Sequence, residues 1–166
     1  MLIHSLSTHQ RNLNKSPADL VFLVSSFNRR EKTLGLINDL LAAVRNYSLL
    51  IVIVDNNSTD GTQQALAAIN ESSLTVITTP NDMYWAQSMR YGYEYVAKRI
   101  NYSFLIALND DIKLFNGWFD TFSRELAYMN KRSYVLAYSF VDDNGRHSYG
   151  GLNSVYRLIK TKLNPV

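Results

Sequence analysis

The chain has 166 residues, 46% of them apolar and 12% aromatic, which predicts a single globular domain with a buried core. The absence of cysteine excludes a disulfide scaffold, a cysteine-ligated zinc site and thiol catalysis, and it is consistent with the reducing cytoplasm. The basic residues, 17 against 14 acidic ones, give a net charge of +3 without a concentrated basic tract, so no nucleic-acid partner is expected. The longest aliphatic run, residues 49–54, is far shorter than the roughly 20 residues of a membrane span, which leaves only peripheral association with a membrane.

The hydrophobic pattern predicts alternating strands and helices after a polar N-terminal leader, residues 1–18. Continuous apolar runs indicate strands buried on both faces, and apolar residues at helical spacing indicate helices between them. In chain order the predicted elements are a strand at 20–24, a helix at 30–44, a strand at 49–54, a helix at 63–69, a strand at 74–78, a helix at 85–99, a strand at 104–108, a helix at 118–129, a strand at 134–140, and a hairpin turn at 142–145 that returns through 146–149. Since strands joined by helices form right-handed crossovers, we expect an α/β domain over residues 19–166, with a mostly parallel sheet between two helical layers.

Polar clusters follow three of the predicted strands, at residues 25–29, 55–60 and 109–111. The carboxyl ends of parallel strands share one edge of a sheet, where ligands bind, so we expect the clusters to converge. The alternative is that their Asp, Asn and Ser residues only begin turns and cap helices. The chain contains neither a dinucleotide-binding glycine fingerprint nor a phosphate-binding P-loop.

The adjacent carboxylates of Asp110 and Asp111 repel each other unless a positive group lies beside them. A divalent cation is the simplest such group, and two carboxylates suit Mg²⁺ or Mn²⁺ that also binds substrate phosphates. Arg29 could add positive charge near a diphosphate, although it could equally be a first-turn residue of a surface helix.

Three segments resemble glycosyltransferase family 2, inverting transferases of the GT-A fold that use nucleotide sugars. Residues 23–29 resemble the family's opening strand and its (Ser/Thr)-x-(Tyr/Phe)-Asn-Arg turn, and residues 52–62 are similar to its Val-Asp-(Asp/Asn)-x-Ser-x-Asp-Gly-Thr segment. Residues 81–92 resemble its Asn-initiated loop and following helix, especially in rhamnosyltransferase-like members that build polysaccharides. The resemblance extends over residues 20–122 and implies a three-layer α/β/α GT-A domain, a Rossmann-like fold.

The resemblance also implies site residues. The expected nucleotide-sugar pocket is lined by Ser25, Phe27, Asn28, Arg29, Asp55, Tyr84, Trp85, Asn109 and Asp110. Asp55 would accept a hydrogen bond from the base, and Tyr84 and Trp85 would pack over the donor unless they belong to the core. The family's Asp-x-Asp motif begins here with the uncharged Asn109, so Asp111 becomes the metal ligand and Asp110 approaches the ribose or the metal. Arg90 stands where many relatives carry Asn, which leaves the donor open.

Inverting transfer needs a base that deprotonates the acceptor hydroxyl. Relatives place this acidic residue in a C-terminal segment that also binds the acceptor, whereas no acidic residue follows Asp143 here. Asp142 and Asp143 are weak candidates, because both also fit a structural turn. We therefore expect a C-terminally short, donor-binding domain whose exposed surface favours homo-oligomers.

The function implied by the resemblance is transfer of a sugar from a UDP- or dTDP-sugar, with Mg²⁺ or Mn²⁺, to a saccharide acceptor in polysaccharide biosynthesis. A non-catalytic nucleotide-sugar-binding or assembly module derived from a transferase is the alternative. A third hypothesis is a phosphotransfer domain with Asp55 as phosphoacceptor. It is weaker because such domains need an acidic pair after the first strand, where this chain has Ser25 and Ser26.

Overall fold

The structure is a computed structural model that describes residues 2–5, 16–79, 83–128, 135–137, 140–141 and 146–149. Within these residues the elements are β1 (Leu2–Ser5), β2 (Ser16–Ser26), α1 (Arg30–Ala43), β3 (Leu49–Asp55), α2 (Thr62–Ala67), β4 (Leu74–Thr78), α3 (Trp85–Arg99), β5 (Ile100–Asn109), α4 (Trp118–Tyr128), β6 (Val135–Ala137), β7 (Phe140–Val141) and β8 (His147–Tyr149). The predicted turn at 142–145, with the candidate bases Asp142 and Asp143, lies outside the described residues.

The main sheet confirms the predicted α/β class. Its strand order is β4-β3-β2-β5-β1-β6, and the first four of these strands run parallel. Strand β1 lies between β5 and β6 and is antiparallel to both. Strands β7 and β8 pair separately and run antiparallel, in the region where the sequence predicts a hairpin.

The prediction that residues 20–24 form the first strand is wrong. Strand β1 lies within the predicted leader, at Leu2–Ser5, and β2 already begins at Ser16. A strand of four residues is too short to show a hydrophobic period, and its conformation depends on backbone pairing with β5 and β6, which follow much later in the chain.

Helices cover both faces of the sheet. Along β2, Leu20, Phe22 and Val24 point to one face, whereas Val21 and Leu23 point to the other. The first face packs against α1, α2 and α4, and the second packs against α3. This alternation follows from the two-residue period of a strand and confirms the three-layer arrangement.

The helices differ from prediction mainly in which side chains they bury. Helix α3 has the predicted bounds. The apolar residues whose helical spacing predicts α1 are Leu34, Ile37, Leu41 and Val44; Ile37 is buried and the other three are partly buried against the core. Helix α1 also buries Thr33, Leu36 and Leu40. The buried face of α1 therefore includes a polar residue near the carboxyl edge of the sheet. None of the described helices is both long and apolar enough to cross a bilayer.

Candidate nucleotide and metal site

The polar ends of β2, β3 and β5 meet at one edge of the sheet, as predicted. Ser26 lies opposite Asp55 in the register of β2 and β3, and Ser25 lies opposite Asn109 in the register of β2 and β5. The loops that follow these strands carry the three polar clusters. Residues that are far apart in sequence are therefore neighbours at the edge where ligands bind in open α/β sheets.

Hydrogen bonds join the loop after β2 to the loop after β3. The N–H of Asn28 donates to Oγ of Ser58 at 2.9 Å, and the N–H of Thr59 donates to Oδ1 of Asn28 at 2.7 Å. Oδ2 of Asp60 accepts a hydrogen bond from the N–H of Arg30, the first residue of α1, at 3.0 Å. Asn28, Ser58 and Asp60 therefore make the turn and capping contacts that the sequence analysis gives as the alternative to ligand binding. Direct contact between Asn28 and a ligand remains a prediction.

Asp55 is completely buried and has two unequal carboxylate oxygens. Its Oδ2 accepts hydrogen bonds from the N–H of Ser58 at 3.1 Å and from Nε2 of Gln63 at 2.9 Å. Its Oδ1 has no hydrogen-bond partner among the described residues. Because an unsatisfied buried acceptor is costly, Oδ1 is suited to an N–H donor supplied by a ligand.

Asp110 and Asp111 share one guanidinium nitrogen. Nη1 of Arg29 lies 2.9 Å from Oδ1 of Asp110 and 2.9 Å from Oδ2 of Asp111. The Asp110 side chain is 4% exposed, that of Asp111 37% and that of Arg29 46%. The hydrogen bond to Asp110 and the charge of that carboxylate raise the pKa of Arg29 above its ordinary value, so the guanidinium stays charged. The positive group expected beside the two carboxylates is therefore present within the chain itself.

The carboxylate of Asp110 is also held from α1. Oγ1 of Thr33 lies 3.3 Å from Oδ2 of Asp110 and 3.0 Å from the carbonyl oxygen of Arg29, so its one hydroxyl hydrogen is shared between these two acceptors. The hydroxyls of Thr33 and Ser26 lie 2.7 Å apart in a buried hydrogen bond. Asp110 is thus fixed on two sides. Asp111, which is more exposed, has more freedom to turn toward a ligand.

The donor set at the end of β5 fits a divalent cation. Because Asp110 and Asp111 aim an oxygen at the same nitrogen, one small cation can contact both carboxylates. Carboxylate oxygens are hard ligands of the kind preferred by Mg²⁺ and Mn²⁺. No group of three or more His, Cys, Asp or Glu side chains within the described residues could hold a metal. Mg²⁺ commonly completes its coordination with water and phosphate oxygens.

The remaining predicted residues differ in exposure. Ser25 is buried and its Oγ accepts a hydrogen bond from Nδ2 of Asn56 at 3.1 Å, whereas Phe27 and Asn109 are exposed. At the start of α3, Tyr84 is 83% and Trp85 is 52% exposed. Neither aromatic side chain belongs to the core, so both are free to contact a ligand.

Sequence reasoning missed Thr33 and Gln63. Thr33 of α1 contacts the carboxylate of Asp110, and Gln63 of α2 donates a hydrogen bond to that of Asp55. Thr33 had a recognisable signal, because it stands one turn before the buried Leu36 and Ile37 on the core-facing side of α1. A polar residue at such a position needs a buried partner. Gln63 carries no comparable signal.

Comparison with known proteins identifies the family and the fold. A family model described as "Glycosyl transferase family 2" matches residues 21–162. No curated protein matches the chain in sequence. Solved structures do match, and one is a mannosyltransferase from Pyrobaculum calidifontis, PcManGT, in complex with GDP-Man and Mn²⁺. It superposes with a TM-score of 0.56 at 16% identity, over 71% of this chain and 34% of the mannosyltransferase, which supports the GT-A-like fold.

Proposed function

We propose that the chain, which belongs to glycosyl transferase family 2, binds a nucleotide-diphosphate sugar and a divalent metal at the carboxyl ends of β2, β3 and β5. The observation that carries the proposal is the convergence of Asp110 and Asp111 on a single cation position. The buried oxygen of Asp55 lies at the end of β3, two strands from β5 in the same sheet. Together these groups supply an acceptor for a base and an anchor for a metal-bound diphosphate.

Each residue has a distinct role in this proposal. Asp55 accepts an N–H of the base through Oδ1, which requires the groups that cover this atom to shift when the nucleotide enters. Asp111 is the principal metal ligand, and Asp110, held by Thr33, orients the metal or the ribose. When bound, the metal neutralises the charge that develops on the departing diphosphate. Arg29 provides further positive charge for the same diphosphate.

The finer parts of the proposal rest on the motifs at 23–29, 52–62 and 81–92. These are inversion at the sugar carbon, a UDP- or dTDP-sugar of the hexosyl or rhamnosyl type, and a saccharide acceptor in polysaccharide biosynthesis. The exposed Tyr84 and Trp85 are the residues we propose to pack over the donor. The GDP-Man in the mannosyltransferase adds GDP to the nucleotides worth testing.

The family assignment argues against the phosphotransfer hypothesis. Asp55 is completely buried and its Oδ2 is bound by Gln63, whereas a phosphoacceptor must be reached by a phosphoryl group.

Measuring turnover of a sugar donor tests the alternative that the chain is a non-catalytic binding module. We propose Asp142 and Asp143 as the residues to examine first for the base, because they lie downstream of the metal motif, where the family resemblance places this residue.

Calorimetric titration of UDP, dTDP and GDP, each with and without Mn²⁺, tests the proposed function. We expect at least one of them to bind, and to bind much more weakly without metal. Release of the nucleoside diphosphate from the corresponding sugar donor, followed with and without saccharides, then separates a transferase from a binding module. Failure of all three nucleotides to bind in the presence of Mn²⁺ would contradict the proposal.

A further inference from the structure

The ion pairs of Arg29 occupy the position that a metal would need. A cation that contacts both Oδ1 of Asp110 and Oδ2 of Asp111 would lie where Nη1 of Arg29 now lies, 2.9 Å from each oxygen. Such a metal would take the space of Nη1, so the guanidinium would have to move away. Binding of one therefore displaces the other.

Building on the proposed function, we infer that Arg29 is an internal cation that keeps the metal position closed until a nucleoside diphosphate arrives. In this structure its guanidinium neutralises part of the charge of Asp110 and Asp111. When the metal enters, Arg29 moves to the diphosphate. Metal and donor thereby bind as one unit, and the metal alone binds weakly.

The surroundings of the three side chains allow this exchange. Nearly half of the Arg29 side chain is exposed, and in the described residues its hydrogen bonds go only to the two carboxylates. Arg29 precedes α1 with φ −139°, outside the helical region, so its side chain starts from the loop that borders the site. Asp110 stays in place through Thr33, while the more exposed Asp111 can turn to the metal.

The charge of Arg29 explains why the metal is expected to bind together with the diphosphate rather than alone. A metal ion that approaches the carboxylates while Arg29 is bound meets a positive group within a few ångströms and is repelled. A nucleoside diphosphate carries several negative charges, so it attracts both cations and gives the guanidinium a new partner. Because the pair is partly exposed, water and salt screen this competition, and we expect an effect of about tenfold rather than an all-or-none block.

Electron paramagnetic resonance of free Mn²⁺, with no nucleotide present, measures the predicted competition. Arg29→Gln should bind Mn²⁺ about tenfold or more tightly than the wild-type chain. Arg30→Gln is the matched control, since it removes the adjacent exposed charge, which pairs only loosely with Glu31 at 3.8 Å. It should change Mn²⁺ affinity by less than about threefold. Equal Mn²⁺ affinity in the wild type and folded Arg29→Gln would overturn the inference.

A measurement on the wild-type chain keeps the inference testable if Arg29→Gln does not fold. The ¹⁵N resonance of the Arg29 side chain should be unchanged by Mg²⁺ alone and should shift when Mg²⁺ and a nucleoside diphosphate are added together, with UDP, dTDP and GDP tried in turn. A resonance that is unchanged under saturating Mg²⁺ and bound nucleotide would overturn the inference. Tighter Mn²⁺ binding by Arg29→Gln, with no nucleotide bound by any variant, would support the role of Arg29 and overturn the proposed function.

Discussion

Oδ1 of Asn28 accepts a hydrogen bond from the N–H of Thr59 at 2.7 Å, and this contact joins the loop after β2 to the loop after β3. Asn28 also has a positive φ of 50°, a conformation that Asn adopts more readily than most residues. Asn28 thus both adopts a positive φ and joins the two loops through its side chain. The shape of the candidate site depends on both properties.

Substitution of Asn28 by Ala and by Gly separates these two properties. Asn28→Ala loses the hydrogen bond and places a β-carbon at positive φ, so we expect a loss of about 1–3 kcal/mol in the free energy of unfolding. Asn28→Gly loses only the hydrogen bond and should cost less, about 0.5–1.5 kcal/mol. Urea denaturation of the three proteins measures the difference. An Ala variant at least as stable as the Gly variant would show that backbone conformation is unimportant here.

Asp60 makes stability depend on pH. Its hydrogen bonds from the Thr62 side chain and from the N–H of Arg30 lower its pKa below the ordinary value of 3.8. A carboxylate whose pKa is lowered by folding stabilises the protein above its unfolded pKa, and this contribution disappears as the pH falls through the folded pKa. We expect Asp60→Asn to be less stable than the wild type at pH 7, with the difference vanishing as the pH falls below 3.8.

Chemical denaturation across this pH range checks the Asp60 prediction. Asp39→Asn, at an exposed position on α1, is the control for loss of one negative charge. It should show a smaller difference from the wild type at pH 7. A stability difference for Asp60→Asn that stays constant from pH 7 to pH 3 would exclude the proposed linkage.

Two helical glycines should respond oppositely to alanine. A Cβ on Gly92 of α3 would clash with Cδ1 of Leu23 and lie 2.7 Å from Cγ2 of Val54. Gly92→Ala should therefore cost about 1–3 kcal/mol, although alanine has the better helix propensity. A Cβ on Gly35 of α1 would meet nothing within 4 Å, so Gly35→Ala should stabilise by about 0.5–1 kcal/mol. Thermal and urea denaturation measure both variants. A Gly92→Ala variant as stable as the wild type would show that α3 can move away from the sheet.

Asp55→Asn tests base recognition separately from metal binding. The variant keeps the size of the side chain but loses the charge and, in one orientation, replaces Oδ1 by an N–H donor. We expect nucleotide affinity to fall by about 1–3 kcal/mol, because a buried hydrogen bond to the base is lost. Affinity for Mn²⁺ alone should stay within about twofold of wild type, because Asp55 does not hold the metal. Unchanged nucleotide affinity in calorimetry would remove Asp55 from the site.

The parts of the fold with strong local signals could be predicted from the sequence. Strand β4 and helix α3 have the predicted bounds, because a β-branched run and a helical period are visible within a few residues. Strand β1 was missed because its pairing with β5 and β6 is not encoded in its own short sequence. Parallel topology alone was enough to bring the ends of β2, β3 and β5 together.

The contacts within the site were less predictable. The carboxylates of Asp110 and Asp111 indicated a missing positive charge, but nothing local showed that Arg29, 81 residues earlier than Asp110, provides it. The same is true of Thr33, which reaches Asp110 across 77 positions. Such partners are decided by how α1 packs on the sheet, and sequence patterns describe the helix rather than its neighbours.

The proposed role of Asp111 is to anchor a metal-bound nucleotide at the carboxyl edge of the sheet. Its most direct test is calorimetric titration of UDP, dTDP and GDP into the wild type, Asp111→Asn and the control Asp39→Asn, with and without Mn²⁺. We predict that Mn²⁺ strengthens binding of at least one nucleotide by tenfold or more in the wild type and the control, as expected for about 1.4 kcal/mol or more of metal-mediated binding. In Asp111→Asn this increase should be absent. An increase of the same size in folded Asp111→Asn would contradict the claim.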